Sequence, residues 1–276
     1  MIDAHFHAWR LIRGDYGWLT PALKPIYRDV TIDDWASLAS SNQITGGILV
    51  QAAPTFEETQ FLLQQANLNP MVKGVIGWID MLSADAVDKV AWCAQEPRLK
   101  GLRPMLQDLE DPDWILQAQV QPVLHAMAKE GLVLDALIKP DHLSRILEIS
   151  QRHASLSIVI DHGAKPKIQN DELLNWQNQM AQLAKATQDK RVMCKLSGLW
   201  TEAPCNTQVE ALKPWCEALL EIWTPQRLIW GSDWPVLELA GNYAEWRHFS
   251  LKLLERYTPE EQALILGANA QNMYKL

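Results

Sequence analysis

The sequence predicts an α/β protein with a (β/α)8 architecture, a TIM barrel, and three observations favour this fold. Eight short apolar runs rich in β-branched residues alternate with longer helical stretches, and eight such units close a barrel. The runs are nearly continuous in apolar residues, which is typical of parallel strands covered by helices. The first run is not followed by G-x-G-x-x-G, which disfavours the alternative, a doubly wound open sheet.

The eight strands are predicted from the apolar runs alone. They span residues 2–7, 46–53, 72–81, 99–106, 132–139, 156–162, 192–199 and 228–233. Between the first run and the first helix lies the irregular segment 10–30, which is long for a plain connection between a strand and a helix. We therefore expect this segment to cover the mouth of the active site.

The predicted helices are supported by start and stop signals. Thr31 precedes a first turn that contains acidic residues, and Pro54 suits the first turn of the following helix. Pro122 is expected to kink or divide the helical stretch that ends at Gly131. The remaining helical stretches begin at Pro140 or cover residues 171–187, 207–223, 243–257 and 259–273.

Length and composition narrow the class of protein. The 276 residues fit one large domain over 1–276, and 48% apolar residues can form a full core. No apolar stretch approaches about 20 residues, and the N-terminus lacks a signal-sequence pattern, so we expect no membrane span. The net charge of −8 disfavours nucleic acid as a partner. The four cysteines form no C-x-x-C pair, which favours free thiols in a reducing cytoplasm. The oligomeric state is left open.

Polar residues occur at the C-terminal end of every predicted strand, which is the end where barrel enzymes build their sites. In strand order they are His5 and His7, Gln51, Trp78 and Asp80, Arg103, Asp135 and Lys139, Asp161 and His162, Lys195 and Ser197 with Glu202 just beyond, and Ser232 and Asp233. Packing alone does not account for polar groups on all eight strands. The pattern therefore indicates a functional site.

Two histidines on the first strand, His5 and His7, alternate onto one face. Together with His162 and Asp233 they would form a set of three nitrogens and one oxygen, which suits zinc with a position left open for water. Asp233 is alternatively a general base that takes a proton from that water. The other interpretation of the two histidines is a solvated edge strand, in which Phe6 would be the buried residue.

Arg103 and Lys195 are the cations expected near the site. Arg103 is predicted to point into the mouth and to bind a carboxylate or a polarised carbonyl oxygen, with a surface ion pair as the alternative. Lys195 is flanked by apolar residues and needs a partner, which Asp135, Asp161 or Asp233 could supply. A purely structural salt bridge is an equally good interpretation of Lys195.

Aromatic residues near strand ends are candidates for the wall of a pocket, since flat rings suit the faces of a sugar. These candidates are Trp9, Trp78, Trp200 and Trp234. The tryptophans within predicted helices are expected to pack between helices and barrel, at positions 35, 92, 114, 176, 215 and 223. Gln51 and Asp135 complete the predicted substrate-binding set.

Eight segments taken together resemble the amidohydrolase superfamily, and more narrowly its TIM-barrel sugar lactonases. In order they are IDAHFHAW, GDYGWLTP, VQAAP, GLRPMLQ, IDHGAKP, CKLSGLWTEA, WGSDWPV and ILGANAQNMY. They extend from Ile2 to the last residues of the chain. GDYGWLTP, VQAAP and KLSGLWTEA look most like the L-fuconolactonase type.

This resemblance implies a hydrolase that opens a sugar-acid lactone, such as L-fuconolactone or a similar aldonolactone, to the free acid. By analogy, His5 and His7 match the family's His-x-His, and His162 matches its later strand-end histidine. Asp233 matches the last-strand aspartate that serves as the base.

The sequence also departs from the two-metal members of the superfamily. Its fourth strand offers Arg103 in place of a bridging Lys or carboxylate, and its fifth strand has no histidine. A two-metal centre is therefore disfavoured, and the resemblance implies one divalent ion, zinc, or none. By the same resemblance, Arg103 and Lys195 are connected with substrate binding. A decarboxylase or another metal-dependent hydrolase of the superfamily, and a non-catalytic sugar-binding barrel, are the alternatives.

Overall fold

Eight parallel strands form one sheet in sequence order in the computed structural model, which describes residues 1–170, 172–188 and 191–276. The strands are β1 Ile2–Phe6, β2 Gly46–Val50, β3 Val72–Gly77, β4 Leu99–Leu102, β5 Val133–Ala136, β6 Ile158–Ile160, β7 Val192–Leu196 and β8 Leu228–Trp230. Beyond the ends of β8 and β1, Asp233 N–H donates to His5 O and His7 N–H to Trp234 O, both at 2.8 Å. These bonds bring the first and last strands together, and the predicted (β/α)8 barrel is confirmed.

Helices connect the strands around the outside of the barrel. They are α1 Ile32–Ser41, α2 Phe56–Leu68, α3 Ala86–Gln95, α4 Gln121–Glu130, α5 Leu143–Arg152, α6 Leu173–Ala186, α7 Lys213–Trp223 and α8 Tyr243–Leu254. After β8 and α8 the chain continues through α9 Pro259–Ala263, a π-helical turn at Leu264–Ala268 and α10 Asn269–Tyr274. Within the described part of the chain, no helix combines the length and apolarity needed to span a bilayer.

Most helix boundaries follow from the start and stop signals in the sequence. Thr31 forms a reciprocal capping box with Asp34 at the start of α1, and Gly131 ends α4 with a φ of 73°. Pro122 lies in the first turn of α4, so it begins this helix and divides the longer predicted stretch. No start signal in the sequence predicted helix α3. In the structure its N-cap residue, Asp85, makes no side-chain capping bond.

The barrel interior has its own apolar core. Alternate strand residues, including Ile48, Val133 and Ile229, point inward and pack against Ala270 and Tyr274 of α10. A second, larger apolar layer lies between the strands and the helices. Because α10 packs against the inner core, the polar residues at the opposite ends of the strands face the open end of the barrel.

The segment 10–30 lies over that open end, as its length predicted. Trp9 pairs with Val30 through two backbone hydrogen bonds of 2.9 Å, and the Trp9 indole donates to Arg28 O at 2.8 Å. The Trp18 indole donates to Ala52 O, just after β2, at 2.7 Å. These contacts attach the segment to both β1 and β2.

Glu58 of α2 supports the loop after β2 from below. Its Oε2 accepts hydrogen bonds from the N–H groups of Ala52 and Ala53. Asp15 and Tyr16, from the segment 10–30 that covers the open end (the covering segment), lie near the Glu58 carboxyl group. Burial raises the pKa of Glu58 to about 8, and Asp15 acts in the same direction, although the two backbone bonds oppose them. The folded protein therefore holds a proton on Glu58 at neutral pH.

Because of this proton, we expect the free energy of unfolding to fall as the pH rises from about 4.5, the ordinary pKa of Glu, to about 8. Over that range the native state binds the proton and the unfolded state does not, so the slope approaches 1.4 kcal/mol per pH unit for this one group. Glu58→Gln keeps an acceptor for the backbone N–H groups and removes the titration. Urea unfolding at several pH values should show a shallower decline for E58Q, and parallel curves for the two proteins would contradict the assignment.

Candidate active site

The Asp233 carboxylate lies among three imidazoles at the C-terminal ends of the strands. Its Oδ1 is 3.4 Å from His7 Nε2, 3.6 Å from His5 Nε2 and 3.7 Å from His162 Nε2. All four side chains are buried to 5% exposure or less. The structure thus brings together the four residues that the sequence predicted as metal ligands or as catalytic groups.

Hydrogen bonds on the far side of two rings orient their Nε2 atoms toward Asp233. His7 Nδ1 lies 2.8 Å from Val50 O, an acceptor, so Nδ1 carries a proton and Nε2 points toward Asp233. His162 Nδ1 lies 2.9 Å from Ser197 Oγ. Such bonds to the second ring nitrogen are how proteins fix a histidine that binds a metal.

The backbone around the site is held in conformations that are uncommon for residues with side chains. His162 has a φ of 53° and Asp233 a φ of 60°, both in the left-handed region. Gly198 also has a positive φ, and a Cβ there would lie 2.3 Å from His162 Nδ1. Strained residues of this kind concentrate at functional sites, and Gly198 leaves the room that the His162 ring needs.

Asp3 fixes the junction between β1 and β8 beneath the site. Its carboxylate accepts hydrogen bonds from Ser232 N and Oγ at 2.8 and 2.7 Å, from Trp35 at 3.0 Å and from Tyr243 at 2.9 Å. Burial raises the pKa of Asp3, although these bonds oppose the rise. Asp3 therefore positions the chain that carries Asp233.

Lys195 lies deeper, at the centre of a buried ion network inside the barrel. Its Nζ is 2.5 Å from Asp135 Oδ2 and 2.9 Å from Asp161 Oδ1. Asp135 in turn accepts a 2.9 Å hydrogen bond from Tyr274. Burial alone would lower the pKa of Lys195, but the two carboxylates outweigh it and the pKa is raised. Lys195 is therefore an ammonium ion at neutral pH.

Arg103 connects this network to the cavity. One terminal nitrogen donates to Asp161 Oδ2 at 3.3 Å, and the other donates to the carbonyl oxygen of Gln51. Its Nε is buried and has no hydrogen-bond partner within residues 1–170, 172–188 and 191–276. An unpaired buried N–H is costly unless a ligand or water accepts its hydrogen bond.

A cavity of about 160 Å³ opens above Asp233. The side chains at its floor and walls are His7, Trp18, Ala52, Arg103, Met105, Gln107, Asp108, Leu137, His162, Lys165, Asp233 and Val236. Lys165 forms a 2.7 Å ion pair with Glu202. The cavity thus combines the carboxylates of Asp233 and Asp108, the Lys165 ammonium, the Arg103 guanidinium, and aromatic and apolar surface.

The charges at the cavity floor follow from burial and from mutual attraction. Burial lowers the pKa of His162 to about 4, against the opposing effect of Asp233, so this ring is neutral at pH 7. Burial by itself would raise the pKa of Asp233, but the imidazoles hold it well below its ordinary range. Asp233 is therefore an ionised carboxylate beside the neutral His162 imidazole.

The donor set fits one divalent ion. Metal–ligand bonds of about 2.0–2.1 Å in a tetrahedron separate the ligand atoms by about 3.3–3.4 Å. His5 Nε2 and His7 Nε2 are 3.2 Å apart, and Asp233 Oδ1 is 3.4 and 3.6 Å from them. The other ring nitrogen of His5, Nδ1, lies 3.2 Å from Lys195 Nζ and 3.5 Å from Asp161 Oδ1.

The sequence model of the amidohydrolase family matches residues 2–276. This chain belongs to the amidohydrolase family. A curated relative, L-fucono-1,5-lactonase of Burkholderia ambifaria, is 39% identical over 100% of this chain and 95% of its own length. An L-fucono-1,5-lactonase of Burkholderia multivorans is 30% identical over 100% of this chain and 96% of its own length.

Solved structures agree with this membership. A crystal structure of an amidohydrolase from Burkholderia multivorans with bound zinc has a TM-score of 0.93 and 30% identity. The match covers 100% of this chain and 99% of that one. The family assignment therefore rests on sequence and on fold over the whole length.

Several residues predicted to contact substrate lie outside the cavity of this amidohydrolase. The Trp9 ring is fully buried beneath the covering segment, where it packs edge-on against Trp18. Trp234 is buried and donates to Glu238, in the turn that follows it, at 2.7 Å. Gln51 donates its side-chain amide to Arg103 O at 2.8 Å. These three therefore position the residues that do line the cavity.

Lys195 and Asp135 are also separated from the cavity of this amidohydrolase, since both are fully buried and paired with each other. Trp78 lines a neighbouring depression instead. Trp200 is buried and donates to Thr207 O at 2.8 Å. The buried setting of Lys195 and Asp135 agrees with the structural salt bridge that the sequence left as an alternative.

Sequence reasoning missed several wall residues, and Trp18 and Lys165 are two of them. Trp18 comes from the irregular segment 10–30, and no periodic pattern indicates where such a side chain points. Lys165 follows His162 in the segment IDHGAKP, and the left-handed turn there, with a φ of 48° at Lys165, brings it onto the wall. The nearness of Lys165 to a strand end was the signal that could have identified it.

Proposed function

We propose that this amidohydrolase hydrolyses the ring ester of a sugar-acid lactone, with L-fucono-1,5-lactone or a similar aldonolactone as the substrate. The observation that carries the proposal is the ionised Asp233 carboxylate at the floor of a small cavity, with the Arg103 guanidinium on its wall. The two L-fucono-1,5-lactonases, 39% and 30% identical over the whole chain, support the same reaction.

Asp233 is the proposed general base. It takes a proton from a water molecule as that water attacks the lactone carbonyl carbon. Oδ1 faces the three imidazoles, while Oδ2 has no hydrogen-bond partner among the described residues and is available to water. The proton then passes from Asp233 to the leaving ring oxygen, which departs as a hydroxyl group.

Arg103 is the proposed donor to the carbonyl oxygen. Negative charge develops on this oxygen in the tetrahedral intermediate, and a preorganised donor stabilises it most strongly where water is excluded. The bonds to Asp161 and Gln51 hold the guanidinium in place. The proposed donors are the guanidinium N–H groups that these two bonds leave free.

A divalent metal ion is the proposed cofactor, with His5, His7 and Asp233 as its ligands and His162 adjacent. When bound, such an ion supplies Lewis acidity and lowers the pKa of water at the site. Zinc suits nitrogen and oxygen ligands in this arrangement. Hydrogen bonds from His7 Nδ1 to Val50 O and between His162 and Ser197 keep the rings oriented whether or not the ion is present.

A lactone panel tests the proposal. L-fucono-1,5-lactone, L-galactono-1,4-lactone and D-glucono-1,5-lactone are incubated with the enzyme in weak buffer, and a pH indicator follows the proton released with each carboxylic acid. The assay is run with and without chelator, and zinc content is measured in parallel. Proton release on at least one sugar lactone is expected. No turnover of any lactone would overturn the proposal, and sugar binding without turnover would favour a non-catalytic barrel.

Arg103→Lys is expected to lower kcat about 100-fold with little change in KM. Lysine keeps a positive charge but lacks the planar guanidinium, which can donate to Asp161, Gln51 and the substrate at the same time. Loss of one donor to the oxyanion lowers kcat by about 10²–10³-fold. Steady-state kinetics on the best lactone measure the effect. Arg145→Lys, in an exposed pair with Asp113, is the matched control. A loss confined to KM would assign Arg103 to substrate binding alone.

A further inference from the structure

A second cavity, the tryptophan trough, adjoins the active-site cavity. It has a volume of about 470 Å³, and three of its walls are the indole rings of Trp18, Trp78 and Trp114. Trp18, Met105 and Asp108 line both cavities. A molecule bound over Asp233 can therefore extend into the trough without leaving the protein surface.

The rings of the trough are accessible and hold unused donors. Trp78 and Trp114 are half-buried, and their indole N–H groups make no hydrogen bond within the described part of the chain. Trp18 is fixed by its bond to Ala52 O and by edge-on contact with Trp9 at 5.5 Å between centroids. The trough thus has one rigid ring beside the active site and two rings whose N–H groups are free for a ligand.

The charged groups lining the trough are all acidic. They are Asp15, Asp80 and Asp108, and no lysine or arginine is among the lining residues. Asp80 and Asp108 are exposed, and Asp80 uses one oxygen for Leu82 N–H at 2.9 Å. Carboxylates repel an anionic ligand and accept hydrogen bonds from hydroxyl groups. A hydroxylated neutral ligand therefore suits this lining better than an acidic one or a hydrocarbon.

We propose that the trough binds a neutral sugar residue joined to the lactone, so that lactones of disaccharide acids belong to the substrate class of this enzyme. The inference rests on the proposed lactonase function. The active-site cavity of about 160 Å³ accepts the lactone ring. The trough offers flat rings for the C–H faces of the second sugar, with indole N–H donors and carboxylate acceptors for its hydroxyls.

The experiment compares D-glucono-1,5-lactone with cellobiono-1,5-lactone and maltobiono-1,5-lactone, which add a β- or α-linked glucose. At least one disaccharide lactone should have a kcat/KM tenfold or more above that of the monosaccharide. Trp114→Ala and Asp80→Asn should each lower kcat/KM for that disaccharide lactone at least threefold and change the monosaccharide value by less than twofold. Asp80 is exposed, so its variant separates binding from folding.

Trp92→Ala is the matched control, since Trp92 is a half-buried tryptophan that packs on Phe56 away from the trough. Equal losses for Trp92→Ala and Trp114→Ala would overturn the inference, as would hydrolysis of the monosaccharide without preference for either disaccharide. If δ-decalactone instead had the raised kcat/KM, and Trp114→Ala lowered it, the trough would be a hydrocarbon subsite and the inference would also be overturned. Quenching of tryptophan fluorescence by methyl β-cellobioside, lost in Trp114→Ala, tests the trough even if no lactone is hydrolysed.

Discussion

Replacement of Asp233 by Asn is expected to lower kcat/KM for the best lactone by about 10³-fold, within the range that general bases contribute. Asparagine has nearly the same shape and keeps an acceptor oxygen for the imidazoles, but it cannot accept the proton from water. It also tolerates the left-handed backbone at this position, where φ is 60°. We therefore expect the variant to fold with a melting temperature close to that of the parent.

Glu238→Gln is the matched control for this variant. Glu238 is a nearby carboxylate that accepts from Trp234 and from Arg28, and it does not line the cavity. Its replacement should change kcat/KM by less than about threefold, the scale of an ordinary hydrogen bond of about 0.5 kcal/mol. Activity of Asp233→Asn within tenfold of the parent would remove Asp233 from the role of base.

Zinc content separates two roles of Asp233, as a base and as a metal ligand. If Asp233 chiefly holds the ion, Asp233→Asn should lose zinc together with activity, and so should His7→Asn. If it chiefly transfers protons, Asp233→Asn should retain zinc on His5 and His7 while activity falls. Metal analysis of each purified variant beside its kcat distinguishes these outcomes, because one measurement reports binding and the other reports chemistry.

The barrel could be predicted from the sequence because its signals are local. Each strand is a short apolar run, and the helix caps at Thr31 and Gly131 are readable in a few residues. The predicted strands extend beyond the observed ones, as with 228–233 against Leu228–Trp230. The strand hydrogen bonds end where the chain turns toward the site, whereas the sequence pattern continues into that turn.

The clustering of His5, His7, His162 and Asp233 was predictable for a related reason. In a closed parallel barrel, residues at the ends of all strands converge on one mouth, so position along each strand determines proximity in space. The pattern does not determine which way a bulky ring turns beyond the strand. Trp9 and Trp18 illustrate this, since Trp9 fills the space under the covering segment while Trp18 takes the place on the cavity wall.

The pairing of Lys195 was the least predictable feature, because three carboxylates were available to it in sequence. The structure pairs it with Asp135 and Asp161, and Asp161 in turn contacts Arg103 and His5. This arrangement depends on side chains from three different strands pointing into the barrel. The contribution of the network to the free energy of unfolding can be measured separately from catalysis.

Lys195→Met is expected to lower the free energy of unfolding by about 3–5 kcal/mol. Methionine fills a similar volume, but the change leaves the carboxylates of Asp135 and Asp161 buried without their shared ammonium, and an unpaired buried charge costs about this much. Denaturant unfolding followed by far-UV circular dichroism measures the loss. Lys165→Met is the control, since the Lys165–Glu202 pair is partly exposed at 22% and 25% and such pairs contribute about 0–1 kcal/mol.

Lys195→Met and a double variant that adds Asp135→Asn separate a structural role of Lys195 from substrate binding. If Lys195 acts through the fold, the double change Lys195→Met with Asp135→Asn should recover part of the lost stability, because one uncompensated charge is removed. If Lys195 instead contacts substrate, Lys195→Met should raise KM while stability stays within about 1 kcal/mol of the parent. Lys195 contacts two carboxylates and, at 3.2 Å, His5 Nδ1, and it does not line the cavity. We therefore expect the loss of stability and its partial recovery.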